Sequence, residues 1–144
     1  MPECCAVALW LRELLALRGL RALVKTSGAK GLHVVVPLDA TGTFAQTKAF
    51  ARAVAREMAA SRAELITDRM AREERPGKVF VDWGQNDPNK STIAPYSLRA
   101  TRWPGVSTPL RWDEVQRVLE TGDESLVRFG PAGGASSFPG IIRP

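Results

Sequence analysis

The residues of this 144-residue chain whose types and spacing could do chemistry begin with Lys25-Thr26-Ser27-Gly28-Ala29-Lys30-Gly31-Leu32-His33, which runs into Val34-Val35-Val36-Pro37. A hydroxyl, an ammonium and an imidazole recur every three residues at Ser27, Lys30 and His33. Gly28 and Gly31 lie among them, and the lack of a Cβ lets backbone N–H groups approach a ligand closely. This is a donor set for an anion. His33 is the only histidine in the chain; on a strand its ring would point from one face, alternating with apolar neighbours. The same residues also describe a tight turn between strands with a core histidine, and local pattern alone leaves both readings open.

A second group stands further on. Lys78-Val79-Phe80-Val81-Asp82 alternates apolar residues and ends in a carboxylate, followed by Trp83-Gly84-Gln85-Asn86 and the polar Asp87-Pro88-Asn89-Lys90-Ser91. A carboxylate at a strand end suits a hard divalent ion, and it equally suits a loop cap. Arg99 closes the stretch Thr92-Ile93-Ala94-Pro95-Tyr96-Ser97-Leu98-Arg99, which reads as a strand with Pro95 at an edge or bulge.

The elements that must position these groups follow from periodicity. Val7, Trp10, Leu11, Leu14 and Leu15 recur at helical spacing, and Gly19 stands where a C-cap is expected, giving a helix over residues 7–18. Residues 22–24 and 32–37 read as strands on either side of the glycine-containing loop, which makes the pair a hairpin. Thr43 and Gln46 form a capping-box pattern ahead of an alanine-rich helix over residues 44–62, whose Lys48, Arg52 and Arg56 belong to a solvated face. Residues 68–74 can form a short charged helix, residues 109–115 start a last helix, and residues 126–129 add a strand. The expected fold class is α/β (α+β): a mixed or antiparallel sheet backed by two main helices. Residues 1–120 make the domain, and residues 121–144, rich in Gly, Pro, Ser and Ala toward the end, a divergent mobile tail.

Composition narrows the class. A chain of this length can bury roughly two-thirds of its unfolded surface around one core. With 44% apolar and 24% charged residues it reads as globular and not as disordered. A net charge of +5 and a pI near 9.8 fit a polyanionic partner. The two cysteines, Cys4 and Cys5, are adjacent and can supply neither a disulfide framework nor a zinc site, which points to the cytoplasm. The apolar run at residues 4–11 is short, lacks a basic lead and merges into Arg12-Glu13, so neither a signal peptide nor a membrane span is expected.

The residue 25–34 block, the residue 78–86 block and Ile93-Ala94-Pro95-Tyr96-Ser97-Leu98-Arg99, taken in this order, resemble the polymerase domain of bacterial DNA ligase D, in the archaeo-eukaryotic primase superfamily. The resemblance continues through Val106-Ser107-Thr108-Pro109-Leu110-Arg111-Trp112-Asp113-Glu114-Val115, and so covers residues 11–115. It implies a partial primase-polymerase fold and a protein that adds (ribo)nucleotides to DNA ends in non-homologous end joining. By that resemblance Ser27, Lys30, His33, Gln85 and Arg99 are nucleotide-binding, and Asp82 is a catalytic metal ligand for Mn²⁺ or Mg²⁺. The implied partners are a nucleoside triphosphate and DNA ends.

The departure from the family pattern is also informative. The family's paired aspartates, one residue apart on a strand before the first helix, have no counterpart here; Glu3 is the only carboxylate ahead of that helix. Two-metal phosphoryl transfer needs carboxylates that hold ions about 3.5–4 Å apart, which Asp82 alone cannot do. The 144-residue chain by itself is therefore expected to be inactive, with a separate chain supplying the missing N-terminal half. The alternatives are a nucleotide- or DNA-end-binding module without catalysis, and a truncated gene remnant.

Overall fold

The computed structural model describes residues 1–39, 41–100 and 104–130. The helices are α1 (Pro2–Ala16), α2 (Phe44–Ser61) and α3 (Trp112–Thr121). The strands are β1 (Leu23–Thr26), β2 (Leu32–Val35), β3 (Ile66–Thr67), β4 (Val79–Phe80), β5 (Leu98–Arg99), β6 (Gly105–Val106) and β7 (Pro109–Leu110). The chain is a mixed α/β protein divided into two compact units, Met1–Pro37 with Ile93–Pro144, and Leu38–Thr92.

In the first unit β1 is the centre of an antiparallel sheet of order β2-β1-β7. The expected hairpin is present: Leu23 pairs with Val35, Lys25 with His33 and Thr26 with Leu32. Val24 turns into a core of Cys5, Leu110, Val115, Val118 and Val127, all buried. Helix α3 supplies Val115 and Val118 to it at three-residue spacing, and its Trp112 ring N–H donates to Ala22 O at 3.0 Å. The Arg12 guanidinium of α1 covers the same indole, 5.2 Å from its centroid. Burial of Cys5 pushes its thiol up to about 11, so it packs as an apolar side chain.

In the second unit the capping box forms as the sequence reads. Thr43 Oγ1 accepts from Gln46 N at 3.3 Å while Gln46 Oε1 accepts from Thr43 N at 2.9 Å. Val54, Ala55 and Met58 are the buried face of α2, and Ile66 of β3 is buried with them. β3 and β4 pair in parallel, Ile66 with Val79 and Thr67 with Phe80.

Several expected elements are shorter or different. The strand at residues 92–99 is reduced to Leu98–Arg99, because Tyr96 takes a positive φ of 64° and turns the chain after Pro95. The helix expected at 68–74 is one 3-10 turn at Arg72–Glu74. Residues 126–129 do not add a strand: Glu124–Val127 is a 3-10 helix, opened by Asp123 accepting from Ser125 N, that brings Val127 into the core. The rest of the expected tail, residues 131–144, lies outside the described residues. Helix α3 makes a third main helix, and β6 and β7 are strands that periodicity did not reveal, each only two residues long. Among the described residues no helix is long and apolar enough to cross a membrane.

Candidate nucleotide site

β1 delivers the chain to Ser27, and the loop it enters is closed by that serine. Ser27 N donates to Gly31 O at 2.9 Å, and Ser27 Oγ accepts from both Ala29 N and Gly31 N at 3.2 Å. The glycine-flanked loop is thus built on the buried Ser27 hydroxyl, and the N–H groups of Ala29 and Gly31 are turned toward it rather than outward. Accepting does not consume the hydroxyl's own hydrogen, which stays chemically able to donate. Lys30 is exposed at the loop tip, and His33 is half-buried on β2.

Gly28 shows why this loop needs a residue without a Cβ. Its φ is +71°, and a Cβ there would stand 3.0 Å from both Arg99 Cβ and Gly105 O. The approach is mutual: a Cβ on Gly105 would come 2.6 Å from Gly28 O. Two backbone segments far apart in sequence meet through these glycines, and Arg99 enters at the same place, its Nη1 donating to Ser27 O at 3.1 Å. Ser27, Lys30, His33 and Arg99 therefore belong to one unit, with Arg99 bonded directly to the loop.

Beneath the loop lies a polar layer that sequence reasoning did not single out. Lys25, Thr26, Ser107 and Thr108 are all buried. Lys25 Nζ donates to Ser107 Oγ at 2.7 Å and to Ile93 O at 2.8 Å, and Ser107 Oγ donates onward to Thr26 O at 2.8 Å. Thr26 Oγ1 accepts from Thr108 N at 2.9 Å and donates to Val106 O at 3.0 Å. Burial, and secondarily the charge of Arg99, holds the Lys25 ammonium below the ordinary lysine value. No sequence signal marks this layer: next to Val24, which faces the apolar core, Lys25 takes the opposite face of β1, where a lysine is ordinary.

Asp82 and Gln85 fall in the other unit. Both are exposed, and Asp82 caps the 3-10 turn Trp83–Gln85: its Oδ1 accepts from Gly84 N at 3.0 Å, and its Oδ2 from Gln85 Nε2 at 3.4 Å. Of the two roles open to this carboxylate, capping is the one its geometry fills. Trp83 points its ring N–H to Asp68 O at 3.0 Å and carries the Arg52 guanidinium 4.9 Å from its centroid. Among the described residues no group of three or more His, Cys, Asp or Glu side chains could hold a metal ion.

Comparison with known proteins gives the family. The sequence model of the family described as "LigD, primase-polymerase domain" matches residues 1–128. The chain is 43% identical over 115 residues to the multifunctional non-homologous end joining DNA repair protein LigD of Mycobacterium tuberculosis, covering 80% of this chain and 15% of that protein. It is 33% identical over 110 residues to the bifunctional LigD of Bacillus subtilis, covering 76% of this chain and 18% of that one. Among solved structures, the polymerase domain of Mycobacterium tuberculosis ligase D in complex with DNA matches with a TM-score of 0.74 and 38% identity, over 85% of this chain and 47% of that one. The chain thus spans less than half of the solved domain and under a fifth of the LigD proteins it matches.

Proposed function

The chain belongs to the LigD primase-polymerase domain family, and from that premise we propose that it is the nucleotide-holding part of a primase-polymerase that adds (ribo)nucleotides to DNA ends in non-homologous end joining. The observation that carries this reading is the Arg99 to Ser27 hydrogen bond, which joins two of the family's sequence blocks at one loop. A guanidinium, the Lys30 ammonium and the Ser27 hydroxyl then serve a triphosphate as charge-assisted donors. His33, paired in register with Lys25, adds a ring on the same face of the hairpin. Gln85 and Asp82 are assigned to the nucleotide and to a divalent ion by family resemblance. Mn²⁺ or Mg²⁺ would supply Lewis-acid activation of the phosphates in this family, and one carboxylate does not by itself hold two ions.

DNA ends are the second proposed partner. The net charge of +5 suits a phosphate backbone, and the solved relative was captured with DNA. A separate chain, or a further segment carrying paired aspartates, completes the catalytic site, and the protein works in the cytoplasm. A second reading, a nucleotide-binding module without chemistry, is favoured by the one specific fact that Asp82 is engaged as a turn cap. Isothermal titration with ATP tests the shared core of both readings: binding by the wild type, weakened in Lys30→Ala and Arg99→Ala, is expected. Absence of ATP binding by the folded wild type would reject both.

A further inference from the structure

We propose that Lys25 is a positioning residue whose ammonium clasps the two ends of the segment carrying β5 and β6, and so sets where Arg99 stands against the Ser27 loop. Lys25 Nζ reaches Ile93 O, where the chain departs, and Ser107 Oγ, where it returns. Within that segment Tyr96 N donates to Ser107 O, Ser107 N donates to Ser97 O, and β5 pairs with β6 through Leu98–Val106 and Arg99–Gly105. These short pairings make a hairpin with little apolar burial of its own: Tyr96 and Leu98 are exposed. It is seated by contacts to β1 and the loop after it, and by Val106 N donating to Phe129 O at 2.8 Å. One end of that seating is Arg99 on Ser27 O, and the other is Lys25, two residues earlier in the chain.

Keeping an ammonium 8% exposed in such a place is costly unless its hydrogen bonds do something an apolar side chain would not. Here one charge bonds both ends of the segment at once, which a methionine, similar in shape but without a donor, cannot do. The Arg99 charge is near enough to disfavour the Lys25 ammonium, so the two cations are held near each other despite their repulsion. A polyanion bound between Lys30 and Arg99 would relieve that repulsion, and this part of the inference rests on the nucleotide-holding reading above.

The test uses the full chain in two assays. In amide hydrogen exchange without ligand, Lys25→Met should speed exchange at Tyr96 and Ser107 at least tenfold while leaving the α1 and α3 core amides protected, and Lys25→Arg should restore part of that protection. In ATP titration Lys25→Met should weaken binding about as much as Arg99→Ala, and the double variant should be no weaker than either; Lys30→Ala should add its loss independently. Unchanged exchange at Tyr96 and Ser107 in Lys25→Met overturns the proposal whether or not ATP binds, so its failure is distinct from that of the nucleotide reading. If Lys25→Met does not fold, Ser107→Ala, which removes one acceptor and keeps the charge, takes its place. Faster exchange at Tyr96 then supports the clasp, and wild-type exchange overturns it.

Discussion

Arg99 Nη1 donates to Ser27 O at 3.1 Å across a sequence separation of 72 residues. The bond draws a cation onto the loop whose tip carries Lys30, and it does so where Gly28 and Gly105 bring two backbones into contact. Charge removal at either cation therefore tests the site more directly than any other change.

For Lys30→Ala and Arg99→Ala, ATP affinity should fall by roughly 1.5–3 kcal/mol each if charge-assisted hydrogen bonds to phosphate form. Lys30 is exposed, so its substitution should leave the melting temperature in place. Calorimetry giving wild-type affinity for both variants would remove these residues from the site.

Gly28→Ala and Gly31→Ala should differ sharply. At Gly28 the side chain must accept a φ of +71° and contacts of 3.0 Å, whereas at Gly31 nothing lies within 4 Å of the new Cβ. A left-handed conformation costs an L-residue roughly 1–2 kcal/mol before any overlap is counted. Denaturant unfolding should show at least that loss for Gly28→Ala and a change within about 0.5 kcal/mol for Gly31→Ala. Equal losses would mean that the close approach of Gly28 to Gly105 is not a constraint.

The second unit carries its own acid-sensitive tie. Lys48 Nζ lies 2.6 Å from Asp87 Oδ2, and this bond, with Asn89 N donating to the same carboxylate, holds Asp87 below its ordinary value of 3.8. A carboxylate lowered in the folded state contributes stability that is fully present above the unfolded value and lost as pH falls through the folded one. The stability difference between wild type and Asp87→Asn should thus be constant at neutral pH and shrink below pH 3.8. Melting curves across that range check it; a difference that persists at the acid end would place the contribution elsewhere.

Asp82 can be separated into its two roles. As the cap of the Trp83–Gln85 turn it should lose about 1 kcal/mol of stability in Asp82→Ala and almost none in Asp82→Asn, which keeps an acceptor oxygen for Gly84 N. In a primer-extension assay with Mn²⁺, the 144-residue chain alone should show no extension above background. Supplemented with a family segment that carries the paired aspartates, it should extend, and both Asp82 variants should abolish that. Extension by the unsupplemented chain would call for other ligands, beginning with Glu3 and Asp39.

Much of the fold was legible because it is local. The capping box at Thr43 and Gln46, the hairpin around the glycine loop and the helical spacing of the first and second helices depend on neighbours within a few positions. Ser27 and Lys30 stood out as an anion-type donor set by residue type and spacing, Arg99 only through the family resemblance, and the family itself was legible from three blocks in order. What only the tertiary structure decided was which groups are spent on holding the protein together. Ser27 Oγ closes its own loop, Asp82 caps a turn, and Lys25, unremarkable as a residue of a strand, becomes a buried clasp. β6, β7 and the short Leu98–Arg99 strand escaped the sequence because two-residue strands have no period to detect. β7 exists because the chain returns to pair with β1, and β5 and β6 because they pair with each other, which is a property of distance in space and not of period along the chain.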